Sequence, residues 1–332
     1  MVRIYVPRRA DCDLVTNDAR FIDWFIGYNS DDGRIEFTDS ADASDIVVLF
    51  EQYSYKTWRY AEELARSPLV RDHAERIYCV NYDSVGRGFL PGCYTSLTRA
   101  NYDPSLHRAC GYPKDYNEIA LAPQGASPPI PTFLFSFVGT TRSFPLRRKI
   151  VELLGSHPMG RISDLDVRFH SHTEEQKRSY VRSIQDSWFV LCPRGSSPSS
   201  YRLFETMALG RCPVILSDDW IPVHGVDWGD CSIRIPEADL AEVPRILGER
   251  LEGAELLGRN ARETFRRFFT HPMRYRQYLQ GILELHSAVD DKPKDYDSRR
   301  KRWRSAEFRR ANQWTLPQRA RRRAARALLR TG

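Results

Sequence analysis

Residues 46–50 read Ile-Val-Val-Leu-Phe, five apolar residues in succession, three of them β-branched. A strand with one wet face alternates apolar and polar residues. An unbroken apolar run marks a strand covered on both faces, as in parallel sheets sandwiched by helices. Ile77-Tyr78-Cys79-Val80 repeats the pattern, and Arg3 to Val6 is a shorter version at the start of the chain. Between these runs, Asp18 to Tyr28 (DARFIDWFIGY) and the stretch around Thr57 to Ala65 have apolar residues at helical spacing. Strands alternating with helices predict a parallel sheet joined by crossovers.

The same rhythm returns after residues 121–131 (LAPQGASPPIP), where Pro, Gly and Ser exclude a helix and predict a linker. Strands are expected at Phe133 to Val138, Val167 to His170, Trp188 to Leu191, Pro213 to Leu216 and Ser232 to Ile235. Helices are expected at about Leu146 to Leu154, Glu174 to Ser187, Ser199 to Leu209, 239–252, 254–269 and 273–287. A chain of 332 residues has room for two domains, and 41% hydrophobic residues can fill both cores, which excludes global disorder. The division expected is an N-terminal α/β domain over 1–120, the linker, and a second α/β domain over 132–270. A helix over 271–290 then packs back on the first domain, and a basic tail covers 291–332.

The net charge of +7 belongs to that tail: residues 291–332 hold 15 Lys or Arg and four Asp or Glu, which leaves the rest net acidic. A nucleic-acid-binding surface spread over the fold is therefore not expected. Gln318 to Arg330 (QRARRRAARALLR) is read as a solvated tail, with adhesion to an anionic membrane surface as its sharper alternative. No apolar run is long enough to span a bilayer, and the apolar start is too short for a signal peptide. Seven dispersed cysteines without a Cys-x-x-Cys pair argue against a disulfide framework or a zinc site. A cytoplasmic location, peripheral on the inner membrane face, is the expectation.

Residues 188–216 (WFVLCPRGSSPSSYRLFETMALGRCPVIL) carry the chemistry. A strand ends at Cys192-Pro193, and a Gly/Ser loop follows that lets backbone N–H groups approach a ligand. Ser199 or Ser200 suits the N-cap of the next helix. That helix start, with its unpaired N–H groups, is a natural seat for a diphosphate. Arg202 falls in the first turn and Glu205 three residues on, so both share a face. The guanidinium fork suits phosphate oxygens, and the carboxylate suits the hydroxyls of a ribose. On spacing alone, an ordinary Arg–Glu surface pair is the better explanation of these two residues.

The wider pattern resembles the exostosin-like glycosyltransferases. The resemblance runs through Pro193, Gly195, Arg202-Leu203-Phe204-Glu205, Gly210-Arg211-Cys212-Pro213-Val214, Asp218, Pro222 and Asp227-Trp228, with Phe137-Val138-Gly139 and Arg142 upstream. It covers residues 133–270 well and the N-terminal half only in rhythm. It implies a GT-B fold, two Rossmann-like domains facing across a cleft, and inverting transfer from a nucleotide sugar, usually a UDP-sugar, to a glycan or glycoconjugate. It implies no essential metal or other cofactor. By motif position, Arg202 and Arg142 would hold the diphosphate and Glu205 the ribose. Arg194, Gly195, Ser196, Ser199 and Ser200 would meet the phosphates or the donor sugar.

The acceptor hydroxyl must lose a proton to a carboxylate or His. Glu51, after the IVVLF run, and Asp83, after IYCVN, are the first candidates, with Asp11, Asp13 and Asp103 behind them. The triplets Asp11-Cys12-Asp13, Asp164-Leu165-Asp166 and Asp295-Tyr296-Asp297 are read as turns or caps, although Asp-x-Asp also points to a metal-dependent alternative. His170-Ser171-His172 is read as a loop rather than a metal site. Two further alternatives stay open: a fucosyltransferase-like enzyme using a GDP-sugar, and an inactive relative that binds a glycan or nucleotide.

Overall fold

The computed structural model describes residues 1–51, 58–84, 86–122, 130–165, 172–288 and 296–311. In the first half, β1 (Val2–Tyr5), α1 (Arg20–Asn29), β2 (Ile35–Thr38), β3 (Ile46–Phe50), α2 (Trp58–Arg66), α3 (Pro68–Asp72), β4 (Ile77–Asn81), β5 (Gly92–Tyr94) and β6 (His107–Ala109) form one unit. Its strands are all parallel, in the order β2-β1-β3-β4-β5-β6. Every residue of β3 and β4 is buried, as their unbroken apolar runs require. The strands β2, β5 and β6 escaped the sequence pattern because each has only three or four residues. Gly92 is needed in β5: at φ +146°, any Cβ there would collide with the Cys79 backbone.

The chain then passes through α4 (Glu118–Leu121) into a second unit. This comprises β7 (Phe133–Gly139), α5 (Pro145–Leu154), β8 (Gly160–Asp164), α6 (Glu174–Gln185), β9 (Ser187–Pro193), α7 (Tyr201–Ala208), β10 (Cys212–Leu216), β11 (Ile233–Arg234), α8 (Val243–Glu249) and α9 (Ala254–Phe268). The order β11-β10-β9-β7-β8 is again fully parallel. The molecule is thus built from two parallel-sheet, Rossmann-like α/β domains, the fold class expected.

The strand expected at Val167 to His170 lies outside the described residues. A strand not expected from the sequence is present at β8, an edge strand whose Gly-Arg-Ile-Ser-Asp sequence has a single apolar residue and so no strand signature. Two local expectations change. The helix expected over 239–252 is a 3₁₀ turn (Glu237–Glu242) followed by α8. Asp239 is itself non-helical and interrupts the helix there, while Pro244 stands in the first turn of α8, where its missing N–H costs nothing. The helix expected to reach Ser187 stops at Gln185, because Ser187 already pairs with Phe133 in the sheet.

Helix α10 (His271–Ser287) leaves the second domain and packs in the first. Tyr275, Tyr278, Leu279, Ile282 and Leu285 join the N-terminal core. Beyond it, the first part of the basic tail forms α11 (Tyr296–Arg304) and α12 (Ala306–Ala311), neither of which was expected. Trp303 and Phe308 are buried against Phe89, and the Trp303 indole donates to the Phe89 carbonyl at 2.7 Å. Two apolar residues among many arginines leave no periodicity to read. Gln318 to Arg330 lies outside the described residues. No described helix is long and apolar enough to cross a membrane.

Candidate functional site

In the second sheet the chain leaves β7 towards β8 on one side and later returns to β9 on the other. Ligands in open α/β sheets bind in the crevice at the carboxyl ends of two such diverging strands. Here that crevice lies between Val138-Gly139 at the end of β7 and Cys192-Pro193 at the end of β9. After β9 the loop 194–200 turns the chain, with Ser200 extended, and α7 starts at Tyr201. Its first turn carries Arg202 into the crevice. Arg202 is buried, donates from Nη2 to the Val138 carbonyl at 2.6 Å, and lies 4.7 Å from the centre of the Phe137 ring. Its Nε and Nη1 are buried without a hydrogen-bond partner among the described residues. A buried cation with unmet donors is expensive unless an anion completes it.

Gly139 is what lets Arg202 in. A Cβ at that position would stand 2.5 Å from Nη2. The Phe-Val-Gly sequence thus combines a ring for the guanidinium to lie on, a carbonyl for it to grip and a residue small enough to approach.

Sequence reasoning missed a second guanidinium, Arg147, in the first turn of α5. It donates from Nε to the Arg194 carbonyl (3.0 Å), from Nη2 to the Pro193 carbonyl (3.2 Å) and from Nη1 to the Thr140 carbonyl (3.4 Å). These contacts bridge the ends of β7 and β9. Its guanidinium lies 5.9 Å from the same Phe137 ring. Burial, and next the charge of Arg202, lower its pKa to about 9. The available signal was its place just after Phe144-Pro145, a helix start that faces the crevice.

Glu205 is also buried, and burial raises its pKa. The Tyr180 hydroxyl of α6 donates to its Oε2 at 2.6 Å. No ion pair joins Arg202 and Glu205 among the described residues, so the surface-pair reading of this spacing is replaced by two buried, separately held charges. A cavity bordering Glu205 is lined by Tyr112, Tyr116, Leu121, Tyr201, Phe204 and Arg274 among others.

The remaining candidates divide. Gly195 is buried, and a Cβ there would lie 3.1 Å from the Nη2 of Arg147, so it belongs to the crevice wall. Arg142 is exposed on the turn after β7, where its backbone N–H donates to Thr140 Oγ1. Arg194 is turned to Asp219 (2.5 Å) and to the Phe144 ring (4.4 Å). Ser196 is exposed, while Ser199 is buried and donates its backbone N–H to Ser197 Oγ. Ser200 occupies the N-cap position of α7 without a side-chain capping bond, which corrects the expectation that Ser199 or Ser200 caps it. Ser197, in the same loop, meets the first domain: its hydroxyl lies 2.5 Å from Ser96 Oγ and 3.1 Å from the Tyr112 hydroxyl.

Glu51 follows β3 and is buried, accepting hydrogen bonds from Tyr60 (2.6 Å) and Asn81. Val15 pairs with it in an antiparallel bridge, so the segment around residues 12–16 covers that strand end. Asp83 is buried after β4, its N–H bound to Asn81 Oδ1. Of the Asp-x-Asp residues, Asp11 accepts from the Arg8 backbone, Asp13 pairs with Arg9 and Asp164 accepts from Thr141. Asp166, Asp295 and His170 lie outside the described residues, and His172 is half-buried near Lys177, its pKa lowered by burial first.

Much of the motif is architecture. Gly210 takes a left-handed φ of +72° after α7. Asp218 and Glu237 exchange backbone-to-carboxylate bonds, and the Trp228 indole donates to Val223 and packs edge-on against Trp220. These residues shape the corner behind β10.

Residues 91–249, from β5 to α8, match the Exostosin GT47 domain. Over this stretch, just under half of its length, the chain is similar to the exostosin-like glycosyltransferases. It is 34% identical over 85 residues to an exostosin-1 homolog of Caenorhabditis elegans, covering 25% of this chain and 22% of that protein. It is 38% identical over 84 residues to the Arabidopsis thaliana protein named "Probable glucuronoxylan glucuronosyltransferase IRX7", covering 25% of this chain and 18% of that protein. The matched stretch thus spans about a fifth of the length of these relatives. Among solved structures, the chain aligns with a glycosyltransferase from Rickettsia africae at 10% identity and TM-score 0.42, over 86% of this chain and 98% of the other. A sucrose-phosphate synthase from Thermosynechococcus elongatus aligns at 11% identity and the same TM-score, over 86% and 99%.

Proposed function

We propose that this exostosin-like chain transfers a sugar from a nucleotide-sugar donor, a UDP-sugar, to a hydroxyl of a glycan or glycoconjugate, with inversion. The observation that carries the reading is the unfilled donor capacity of Arg202, whose Nε and Nη1 sit buried at the switch crevice beside Arg147. Two fixed guanidiniums stabilise the charge that grows on a departing diphosphate without reorganising. Glu205 supports a ribose seat one turn along α7. The aromatic cavity beside it suits a flat base. The leaving group's charge is met by arginine, so the reading invokes no metal.

The acceptor hydroxyl attacks the sugar carbon from the face opposite the diphosphate and gives its proton to a carboxylate. Asp83 is the proposed base. It sits at the carboxyl end of β4, in a loop where Gly86 bonds Ser96, and Ser96 in turn meets Ser197 of the donor loop. Glu51, the other candidate, is held by Tyr60 and Asn81, which supports a locking role. Calorimetry with UDP, GDP and dTDP, followed by transfer of labelled sugar from the matching donor, tests the reading. Binding of UDP that weakens in Arg202→Ala supports it, binding of GDP alone moves it to a GDP-sugar enzyme, and binding of none overturns it.

A further inference from the structure

Arg202 and Glu205 are opposite charges three residues apart on one helix face, both buried. At that spacing and in a low dielectric they attract strongly. A direct pair would consume the donors and acceptors that a nucleotide needs. The two are nevertheless apart, and one side chain touches both. The Tyr180 hydroxyl holds Glu205 Oε2, and the Tyr180 ring lies 5.8 Å from the Arg202 guanidinium. On its other side Arg202 is drawn to the Val138 carbonyl and the Phe137 ring.

Tyr180 is itself well fixed. Helix α6 starts with a reciprocal capping box between Thr173 and Gln176. Lys177 bridges Glu174 of α6 to Glu118 of α4. The tyrosine therefore projects from a helix braced against its neighbour. Burial, followed by the nearby Glu205 carboxylate, pushes its phenol well above the ordinary value, so it stays a hydrogen-bond donor.

We propose that Tyr180 is a positioning residue, which aims the Glu205 carboxylate at the donor's ribose and keeps it off Arg202. The inference rests on the reading of the crevice as a nucleotide-sugar site. It adds a residue outside the recognised motif on which selectivity for an intact ribose depends.

The test uses the full chain, with UDP and 2′,3′-dideoxy-UDP as calorimetric probes. The unsubstituted protein binds UDP about tenfold tighter than the dideoxy analogue, the effect of hydrogen bonds to a charged group. Tyr180→Phe keeps the ring, loses the hydroxyl and binds both probes about equally. In a Glu205→Gln background the same substitution changes UDP affinity by less than about twofold, because the residue it acts through is gone. Full discrimination in Tyr180→Phe, or an equal loss of affinity in both backgrounds, overturns the role of Tyr180 and leaves the nucleotide site standing. An unsubstituted protein that binds neither UDP nor GDP overturns the site itself.

Discussion

Arg147 and Arg202, 55 residues apart in sequence, place their guanidiniums 5.9 Å and 4.7 Å from the centre of one ring, that of Phe137. They arrive from the first turns of different helices, α5 and α7, and between them grip carbonyls at the ends of β7 and β9. Arg147 has three carbonyl partners, whereas Arg202 keeps two nitrogens unmet. Arg202 is therefore the one poised for a ligand. Arg202→Ala should weaken UDP binding by about 10- to 100-fold, the range for charge-assisted hydrogen bonds. Titration calorimetry on the folded variant checks this.

Arg147 makes that binding sensitive to alkaline pH. Its pKa, lowered to about 9 by burial, leaves it charged at neutral pH and neutral well above 9. Between about 9 and the ordinary arginine range the unfolded chain holds the extra proton, so this group makes stability rise with pH there. Nucleotide affinity moves the other way, because the diphosphate prefers the charged form. UDP affinity should be flat from pH 7 to 8 and fall above 9, by up to about tenfold per unit. Arg147→Met should bind more weakly and lose the alkaline fall, which affinity measured across the pH range checks.

Gly139 has a role that only its size permits. In Gly139→Ala the new methyl group would stand 2.5 Å from Arg202 Nη2 and push the guanidinium off the Val138 carbonyl. The guanidinium is the end of a flexible side chain and can move, so the fold survives. UDP affinity should fall by about tenfold, the value of a displaced charge-assisted bond, while the thermal midpoint changes little. Thermal unfolding with and without UDP separates the two effects.

Trp303 tests the docking of α11. Trp303→Ala removes a buried indole and its bond to the Phe89 carbonyl. A loss of about 3–5 kcal/mol is expected, as for large aromatic deletions in cores. Chemical denaturation of the N-terminal domain should show it, with UDP affinity at neutral pH unchanged because the residue lies in the first domain's core.

The sequence by itself determined the two-domain α/β fold and the importance of the segment after β9. Long apolar runs such as Ile46–Phe50 announce buried strands, and the Arg202-to-Glu205 spacing places both residues on one helix face. Strands of three residues, such as β5 and β6, stayed hidden because they are too short to show an alternation. Tertiary structure decided which charges meet. The distances from Arg147 to Arg202, from Tyr180 to Glu205 and from Ser96 to Ser197 are set by how helices and domains pack, which no local pattern encodes. It also gave Glu51 and Asp83 different surroundings, Glu51 accepting from Tyr60 and Asn81 and Asp83 donating its backbone N–H to Asn81, although both follow apolar strands and look alike in sequence. Hydrogen bonding and burial depend on neighbours distant along the chain, and those neighbours decide whether an Arg and a Glu on one face pair or stay apart.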